Sequence, residues 1–230
     1  MPAHTCYVEP FAGGAQVFWR KPRSHVEVLN DLDGELVNFY RMLHLCPGRL
    51  ARYVMALPHS RKLFCEMIRE RPPESAKIRR AARTWYLQKC AYSGKVVGKT
   101  YGYARCKPCG CNPATLAREF RETGERLHRV NLECLPWQEV VQRYDGPETL
   151  FYCDPPYYDM PYYRHNFRED DHVALAEGLR AAGGRFLLSY NEHPRIRELY
   201  AWARVEEIVV SYRMYGCSVP RATELIVSNF

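Results

Sequence analysis

The chain has 230 residues, 47% of them hydrophobic, and a formal net charge of +7. This length accommodates one sizeable core with a modest insertion. No run of about 18 apolar residues occurs, so we expect no transmembrane helix and no membrane partner. No charged and then apolar leader opens the chain, which favours a cytoplasmic protein over a secreted one. The ten cysteines are too sparse for a disulfide framework and fit a reducing compartment.

The first predicted strand, residues 5–8, leads into a glycine turn, and residues 16–19 then open a helix. Glycines such as Gly13, at a strand-to-helix turn, let the backbone approach a nucleotide-like ligand closely. The pattern is not the GxGxxG of dinucleotide-binding proteins, so on its own it is a weak signal.

A second predicted strand, residues 26–29, ends in acidic residues, and a helix follows over residues 32–45. Asp31 lies 18 residues after Gly13, near the separation at which an acid binds the ribose hydroxyls of a nucleotide in a βαβ unit. Asp31 or Asp33 could instead cap the helix that follows. We favour ribose binding for Asp31.

Residues 58–127 form a basic segment that holds 16 Lys or Arg, 6 Glu and no Asp, a net charge of +10. Two stretches of this segment mix basic, aromatic and glycine residues: residues 82–89, a predicted amphipathic helix, and residues 93–105, a predicted loop or ribbon. This composition favours a DNA-binding subdomain over a merely solvated helical face. The residues that we expect to contact DNA are Arg79, Arg80, Arg83, Lys89, Lys95, Lys99 and Arg105.

Four thiols in this segment, those of Cys90, Cys106, Cys109 and Cys111, have spacings that could close a tetrahedral zinc site. A single CxxCxC with one distant cysteine is weak evidence, and a reduced loop with incidental thiols explains the same residues. We therefore predict no metal site.

The chain returns to strands at residues 130–134 and 149–153, and the second of these is followed directly by Asp154-Pro155-Pro156-Tyr157. Two prolines cannot continue a strand, because each lacks an N–H donor and has a fixed φ. The turn that results holds a carboxylate, the carbonyl of Pro155 and an aromatic ring together. Such a cluster suits a flat base with an exocyclic amino group, which would donate to the two oxygens and stack on Tyr157. A proline-stiffened loop without a function is the plainer alternative.

The remaining predicted elements are a helix over 169–182, a strand over 185–190, a helix over 194–203 and a hairpin of strands 205–212 and 222–228. Alternating strands and helices predict an α/β fold with a parallel sheet and helices on both faces. We interpret His172 as structural or loop-ordering. Ser189 and Asn191 either border the base pocket or cap the end of their strand.

Several of these stretches together resemble the DNA adenine-N6 methyltransferases of the DNA adenine methylase type. They are residues 7–14, 28–33, 154–157, 171–175, 186–191 and 222–230. The resemblance implies a Rossmann-like S-adenosylmethionine-dependent methyltransferase core, residues 1–57 and 128–230, with residues 58–127 as an inserted, mainly helical basic DNA-recognition subdomain. It also implies S-adenosylmethionine as methyl donor and the amino group of adenine in double-stranded DNA as acceptor. We expect a monomer, with a cognate restriction endonuclease as a further candidate partner.

By the same resemblance, Glu9, Phe11, Gly13, Asp31 and Asp154 line the cofactor site. The catalytic set that it implies is Asp154, Pro155 and Tyr157, which hold the target base.

Two features depart from the family's pattern. Members usually carry a segment before the first strand that covers the methionine end of the cofactor, and only four residues precede Thr5 here. We expect either a truncated sequence or a more open pocket. The second departure is Cys134, which lies where members commonly have an acid, although Trp137 could still pack on the cofactor's adenine. An N4-cytosine methyltransferase and a non-catalytic DNA-binding relative are the alternatives, and Asp154 favours adenine.

Overall fold

The computed structural model describes residues 1–92, 97–102, 112–160, 164–211 and 221–230. Its strands are β1 (Cys6–Glu9), β2 (Val26–Asn30), β3 (Val130–Glu133), β4 (Thr149–Cys153), β5 (Arg185–Asn191), β6 (Arg204–Ser211) and β7 (Arg221–Ser228). Its helices are α1 (Gln16–Arg20), α2 (Gly34–Leu45), α3 (Pro47–Met55), α4 (Arg61–Arg69), α5 (Lys77–Cys90), α6 (Pro113–Arg126), α7 (Trp137–Tyr144), α8 (Glu169–Ala181) and α9 (Pro194–Leu199).

The strands form one sheet in the order β3-β2-β1-β4-β5-β7-β6. Strand β1 pairs in parallel with both β2 and β4, and β4 pairs in parallel with β5. Strand β7 runs antiparallel to β5 and β6, so the last two strands make the predicted hairpin. The α/β fold class predicted from the sequence is confirmed.

Strands β1, β2 and β4 to β7 form the centre of the first of two compact units, which comprises Met1–Leu32 and Glu133–Phe230. Apolar residues fill most of the middle of its central strands, because helices that cover both faces of a parallel sheet leave little room for polar side chains. Val8, Phe151, Phe186 and Leu188 are fully buried there. Helices α7 and α8 contribute Val140, Leu175 and their neighbours to the same core.

The second unit, Asp33–Leu132, contains helices α2 to α6. Helix α2 packs on α5 and α6, and α3 packs on the same two helices. Gly124 allows the close approach of α6 to α2, since a Cβ at this position would lie 2.4 Å from the carbonyl oxygen of Leu43. This compact unit includes more residues than the predicted insert, residues 58–127. The role of residues 58–127 as a DNA-recognition subdomain stays a prediction.

Some helices begin or end at other residues than the sequence predicts. The sequence pattern of residues 118–130 predicts a helix that leads back to the core. In the structure this helix begins earlier, at Pro113, because Asn112 accepts a hydrogen bond from the amide of Ala114 and proline is favoured in a first turn. The helix expected over 194–203 ends at Leu199. The predicted ribbon over 93–105 lies largely outside the described residues, and what is described includes an antiparallel bridge between Ala91 and Tyr101.

Cys90 is buried in an apolar cluster with Phe64 and Leu87, while Cys106, Cys109 and Cys111 lie outside the described residues. Among the residues that the structure describes, no group of His, Cys, Asp and Glu is arranged to hold a metal ion. Within the same ranges, we find no helix long and apolar enough to cross a membrane.

Candidate active site at the carboxyl ends of β1 and β4

The sheet order reverses between β1 and β4, because the chain proceeds from β1 to β2 on one side and from β4 to β5 on the other. In open α/β sheets, ligands bind outside the carboxyl ends of the strands at such a reversal. Glu9 ends β1 here, and Asp154 follows the last residue of β4. The topology therefore brings the two motifs that the sequence singled out to the same edge of the sheet.

The turn after β1 is held by the end of β2. The amide of Gly13, whose φ is +47°, donates to Oδ2 of Asp31 at 2.9 Å. The amide of Ala12 donates to the carbonyl oxygen of Asn30 at 2.8 Å. Helix α2 is capped by Asp33, which accepts from the amide of Glu35. Capping therefore falls to Asp33, and the carboxylate of Asp31 faces the glycine turn.

Glu9 is 1% exposed and bonds inward. Its Oε1 accepts from the hydroxyl of Tyr7 at 2.7 Å and from the amide of Phe18 at 2.9 Å. The pKa of Glu9 is raised to about 7, chiefly by burial and also by the neighbouring charge of Asp154, while the two hydrogen bonds and the charge of Lys21 act to lower it. The contacts described for this carboxylate fasten β1 to α1, so Glu9 supports the shape of the glycine turn.

Asn30 also organises this edge, and the sequence analysis did not single it out. Its side-chain amide, 1% exposed, donates to the carbonyl oxygens of Pro10 at 2.8 Å and Leu135 at 3.0 Å. Its Oδ1 accepts from the amide of Leu135 at 2.9 Å. One buried side chain thus joins the turns that follow β1 and β3. The available signal was an amide directly after the predicted strand of residues 26–29, since such a group must find hydrogen-bond partners where it is buried.

Asp154 has an exposed face at the end of β4, and Pro155 beside it is buried. Oδ1 of Asp154 accepts a hydrogen bond from Oγ of Ser189 at 2.8 Å. Protein atoms nonetheless surround the carboxylate closely enough for desolvation to raise the pKa of Asp154, while hydrogen bonds from Ser189 and Tyr157 lower it. The carboxylate of Asp154 is thus held in a fixed position, accessible to a ligand, where the sheet order reverses.

Aromatic residues surround both motifs. The ring of Tyr157 lies 6.0 Å from that of Tyr190, centre to centre. Phe11 lies 6.3 Å from Trp137 and meets Phe167 edge-on at 5.6 Å. Such rings offer faces on which a flat base can stack.

His172 is 3% exposed, and its Nδ1 lies 2.6 Å from the hydroxyl oxygen of Tyr190. Burial lowers the pKa of this imidazole. The buried hydrogen bond agrees with our interpretation of His172 as a structural residue.

The basic residues predicted to contact DNA differ in their surroundings. Arg83 is 7% exposed and donates from Nε to the carbonyl oxygen of Met67 at 2.6 Å. Arg80 binds Glu35 at 2.7 Å, and Arg79 pairs with Glu70. Arg83 is therefore engaged inside its own unit, and we do not carry it into the proposed DNA contacts.

Two further residues of that set are described. Lys89 is exposed on α5, and Nζ of Lys99 donates to Gln88 at 2.6 Å. Lys95 and Arg105 lie outside the described residues.

Comparison with known proteins agrees with this geometry. The family model of the D12 class N6 adenine-specific DNA methyltransferases matches residues 1–215. The chain is 24% identical to the type II methyltransferase M.MjaIII of Methanocaldococcus jannaschii, over 97% of this chain and 88% of the relative. It is 26% identical to the type II methyltransferase M1.LlaDCHI of Lactococcus lactis, over 97% and 86%. It is 25% identical to the DNA adenine methylase of Escherichia coli K12, over 91% and 80%.

Proposed function

The chain belongs to the D12 class of N6 adenine-specific DNA methyltransferases, and on this premise we propose how its residues carry out the transfer. The reaction places a methyl group on the amino nitrogen of adenine in DNA. We propose S-adenosylmethionine as the methyl donor and an adenine extruded from double-stranded DNA as the acceptor.

The residues at the end of β1 and β2 fit such a donor. A carboxylate such as Asp31 is a suitable acceptor for ribose hydroxyls, and it already fixes the turn at Gly13. A Cβ added at Gly13 would meet no atom within 4 Å, so this side of the turn is open to a ligand. Phe11 and Trp137 would pack against the adenine of the donor. When bound, S-adenosylmethionine supplies an electrophilic methyl group on a positively charged sulfur.

In this proposal, Asp154 and the carbonyl of Pro155 accept hydrogen bonds from the amino group of the target adenine. That nitrogen is a poor nucleophile because its lone pair is delocalised into the ring. The two acceptors draw it toward tetrahedral geometry and localise the lone pair, which is electrostatic stabilisation by preorganised groups. Stacking on Tyr157 offsets part of the cost, about a few kcal/mol, of extruding the base.

The single observation that carries this proposal is the fixed carboxylate of Asp154 beside the end of β1, with Oδ1 held by Ser189 at 2.8 Å. The test is incubation of the protein with methyl-labelled S-adenosylmethionine and mixed-sequence duplex DNA, followed by digestion to nucleosides. Label in N6-methyladenine supports the proposal. Label confined to N4-methylcytosine, or to RNA offered in parallel, would contradict it.

We propose that the basic residues of the segment 58–127 bind the phosphate backbone of that DNA. The segment has a net charge of +10, and Lys and Arg that neutralise phosphates release the counterions condensed on DNA. The exposed Lys89 is the first candidate, with Arg79, Arg80, Lys95, Lys99 and Arg105. A monomer acting in the cytoplasm, with a cognate restriction endonuclease as a candidate partner, completes the proposal.

A further inference from the structure

The end of β5 contacts the Asp154–Tyr157 loop and the residue directly after it. Ser189 and Asn191 are two positions apart on this strand, so their side chains lie on the same face of the sheet. Ser189 bonds to Asp154 at the start of the loop, and Asn191 bonds to Tyr158 directly after it. Tyr190, between them, points to the opposite face and is fully buried.

Asn191 holds Tyr158 by both of its main-chain polar groups. The amide of Tyr158 donates to Oδ1 of Asn191 at 3.0 Å, and Nδ2 of Asn191 donates to the carbonyl oxygen of Tyr158 at 3.2 Å. A primary amide has one acceptor and one donor group side by side, and so matches a peptide backbone. Alanine lacks both groups.

The side chain of Tyr158 also has several partners. Its ring centre lies 4.3 Å from that of His193 and 4.9 Å from that of His172. Its hydroxyl donates to Glu169 at 2.7 Å, and Glu169 also accepts from Nε of Arg195 at 2.7 Å. Groups from α8, from the end of β5 and from His193, which precedes α9, therefore converge on this one residue.

We propose that Asn191 and Tyr158 are positioning residues for methyl transfer, which fix the loop that carries Asp154 and Tyr157. Pro155 and Pro156 have restricted backbone angles, so restraining the loop at both ends leaves it few conformations. This inference rests on the proposed roles of Asp154 and Tyr157. A displacement of a reacting group by about 1 Å can lower a rate by about 10²-fold, which is why such restraint matters.

The chain offers a matched control at the opposite end of β5. Asn229 accepts from the amide of Phe186 at 2.9 Å and donates to the carbonyl oxygen of Gly184 at 3.0 Å. Each of the variants Asn191→Ala and Asn229→Ala therefore removes one hydrogen bond from a main-chain amide and one to a main-chain carbonyl oxygen, at opposite ends of β5. Only the first removes contacts to the proposed catalytic loop.

The experiment is single-turnover methylation by the full chain, with the KM for S-adenosylmethionine and the thermal stability measured alongside. Asn191→Ala should lower the single-turnover rate by about 10- to 100-fold and leave the KM within about twofold. Asn229→Ala should lose similar stability and keep the rate within about twofold. Equal rate losses in both variants, or a wild-type rate in Asn191→Ala, would overturn the proposal.

Hydrogen exchange gives a second measurement that does not depend on catalysis. The amide of Tyr158 should exchange faster in Asn191→Ala than in wild type, and unchanged exchange would also overturn the proposal. If Asn191→Ala does not fold, Tyr158→Leu, which removes the ring contacts, should give the same loss of rate at unchanged KM. A wild-type protein that methylates no DNA would contradict the proposed function instead, while the exchange result would still stand.

Discussion

The hydroxyl of Ser189 donates a 2.8 Å hydrogen bond to Oδ1 of Asp154 and so joins β5 to the residue that follows β4. This bond stabilises the ionised carboxylate, while desolvation favours the protonated form and raises the pKa of Asp154 above its ordinary value of 3.8. The hydrogen bond from Ser189 therefore helps to set the pH at which Asp154 becomes an acceptor for the amino group of a base.

We expect the activity of the wild-type protein to fall on acidification through the raised pKa of Asp154, because the protonated carboxyl is the poorer acceptor. Ser189→Ala removes a hydrogen bond that lowers this pKa. The acid limb of the kcat profile should therefore move to higher pH in the variant. A limb that stays in place, or moves to lower pH, would contradict the role given to Ser189.

Glu9→Gln tests the buried carboxyl at the end of β1. The pKa of Glu9 in the folded protein, about 7, lies above its ordinary value of 4.5. The folded state therefore holds the proton more tightly, and the stability of the wild type falls as pH rises between these two values. Glutamine is neutral at every pH and keeps an acceptor for Tyr7 and Phe18.

The two proteins should therefore have similar unfolding free energies near pH 4.5, and the variant should be more stable at pH 8 by on the order of 2–3 kcal/mol. Chemical denaturation of both proteins at the two pH values measures this difference. If the difference in unfolding free energy between wild type and variant is the same at both pH values, the titration of Glu9 does not cause the pH dependence of stability.

Arg83 and Lys89 lie on the same helix, and we expect replacement of Arg83 to affect stability and replacement of Lys89 to affect DNA binding. Arg83→Gln removes a buried donor from the carbonyl oxygen of Met67 and should destabilise the fold by about 1–3 kcal/mol. Lys89→Gln alters an exposed residue and should leave stability unchanged. If Lys89 touches a phosphate, the same change should reduce the slope of log affinity against log salt by about 1. An unchanged slope for Lys89→Gln would place the DNA-binding face elsewhere.

Tyr200 is fully buried, and within the part of the chain that the structure describes its hydroxyl has no hydrogen-bond partner. Tyr200→Phe should therefore leave the unfolding free energy unchanged or raise it by about 1 kcal/mol. Tyr190→Phe is the matched control, because its hydroxyl bonds to His172, and it should destabilise by about 1–2 kcal/mol. Equal losses in the two variants would mean that the hydroxyl of Tyr200 has a partner in solution.

Strand β4 was predicted to the residue, Thr149–Cys153, and the reason is local. Its apolar run is bounded by a Gly-Pro pair before and by Asp154-Pro155-Pro156 after, so both ends are marked in the sequence. The antiparallel hairpin of β6 and β7 followed from similar patterns. Local signals of this kind were sufficient for the fold class.

The contacts that organise the candidate site could not be predicted in the same way. Asn30 bonds to Leu135, 105 positions further along the chain, so no local pattern indicates its role. Arg83 was assigned to DNA from charge alone, whereas its burial depends on where the end of α4 presents free carbonyl oxygens. Tyr158 follows the recognised tetrapeptide, but the residues that hold it come from α8, from the end of β5 and from His193 before α9.

The most direct test of this account compares two preparations of DNA from a host that lacks adenine methylation. One host expresses the wild-type chain, and the other expresses Asp154→Ala at a matched level of folded protein. Nucleoside analysis should detect N6-methyladenine with the wild type, and a loss of about 10²-fold or more in the variant. N6-methyladenine at equal levels in both preparations, or N4-methylcytosine alone in the first, would contradict the assignment of Asp154 as the residue that acts on adenine.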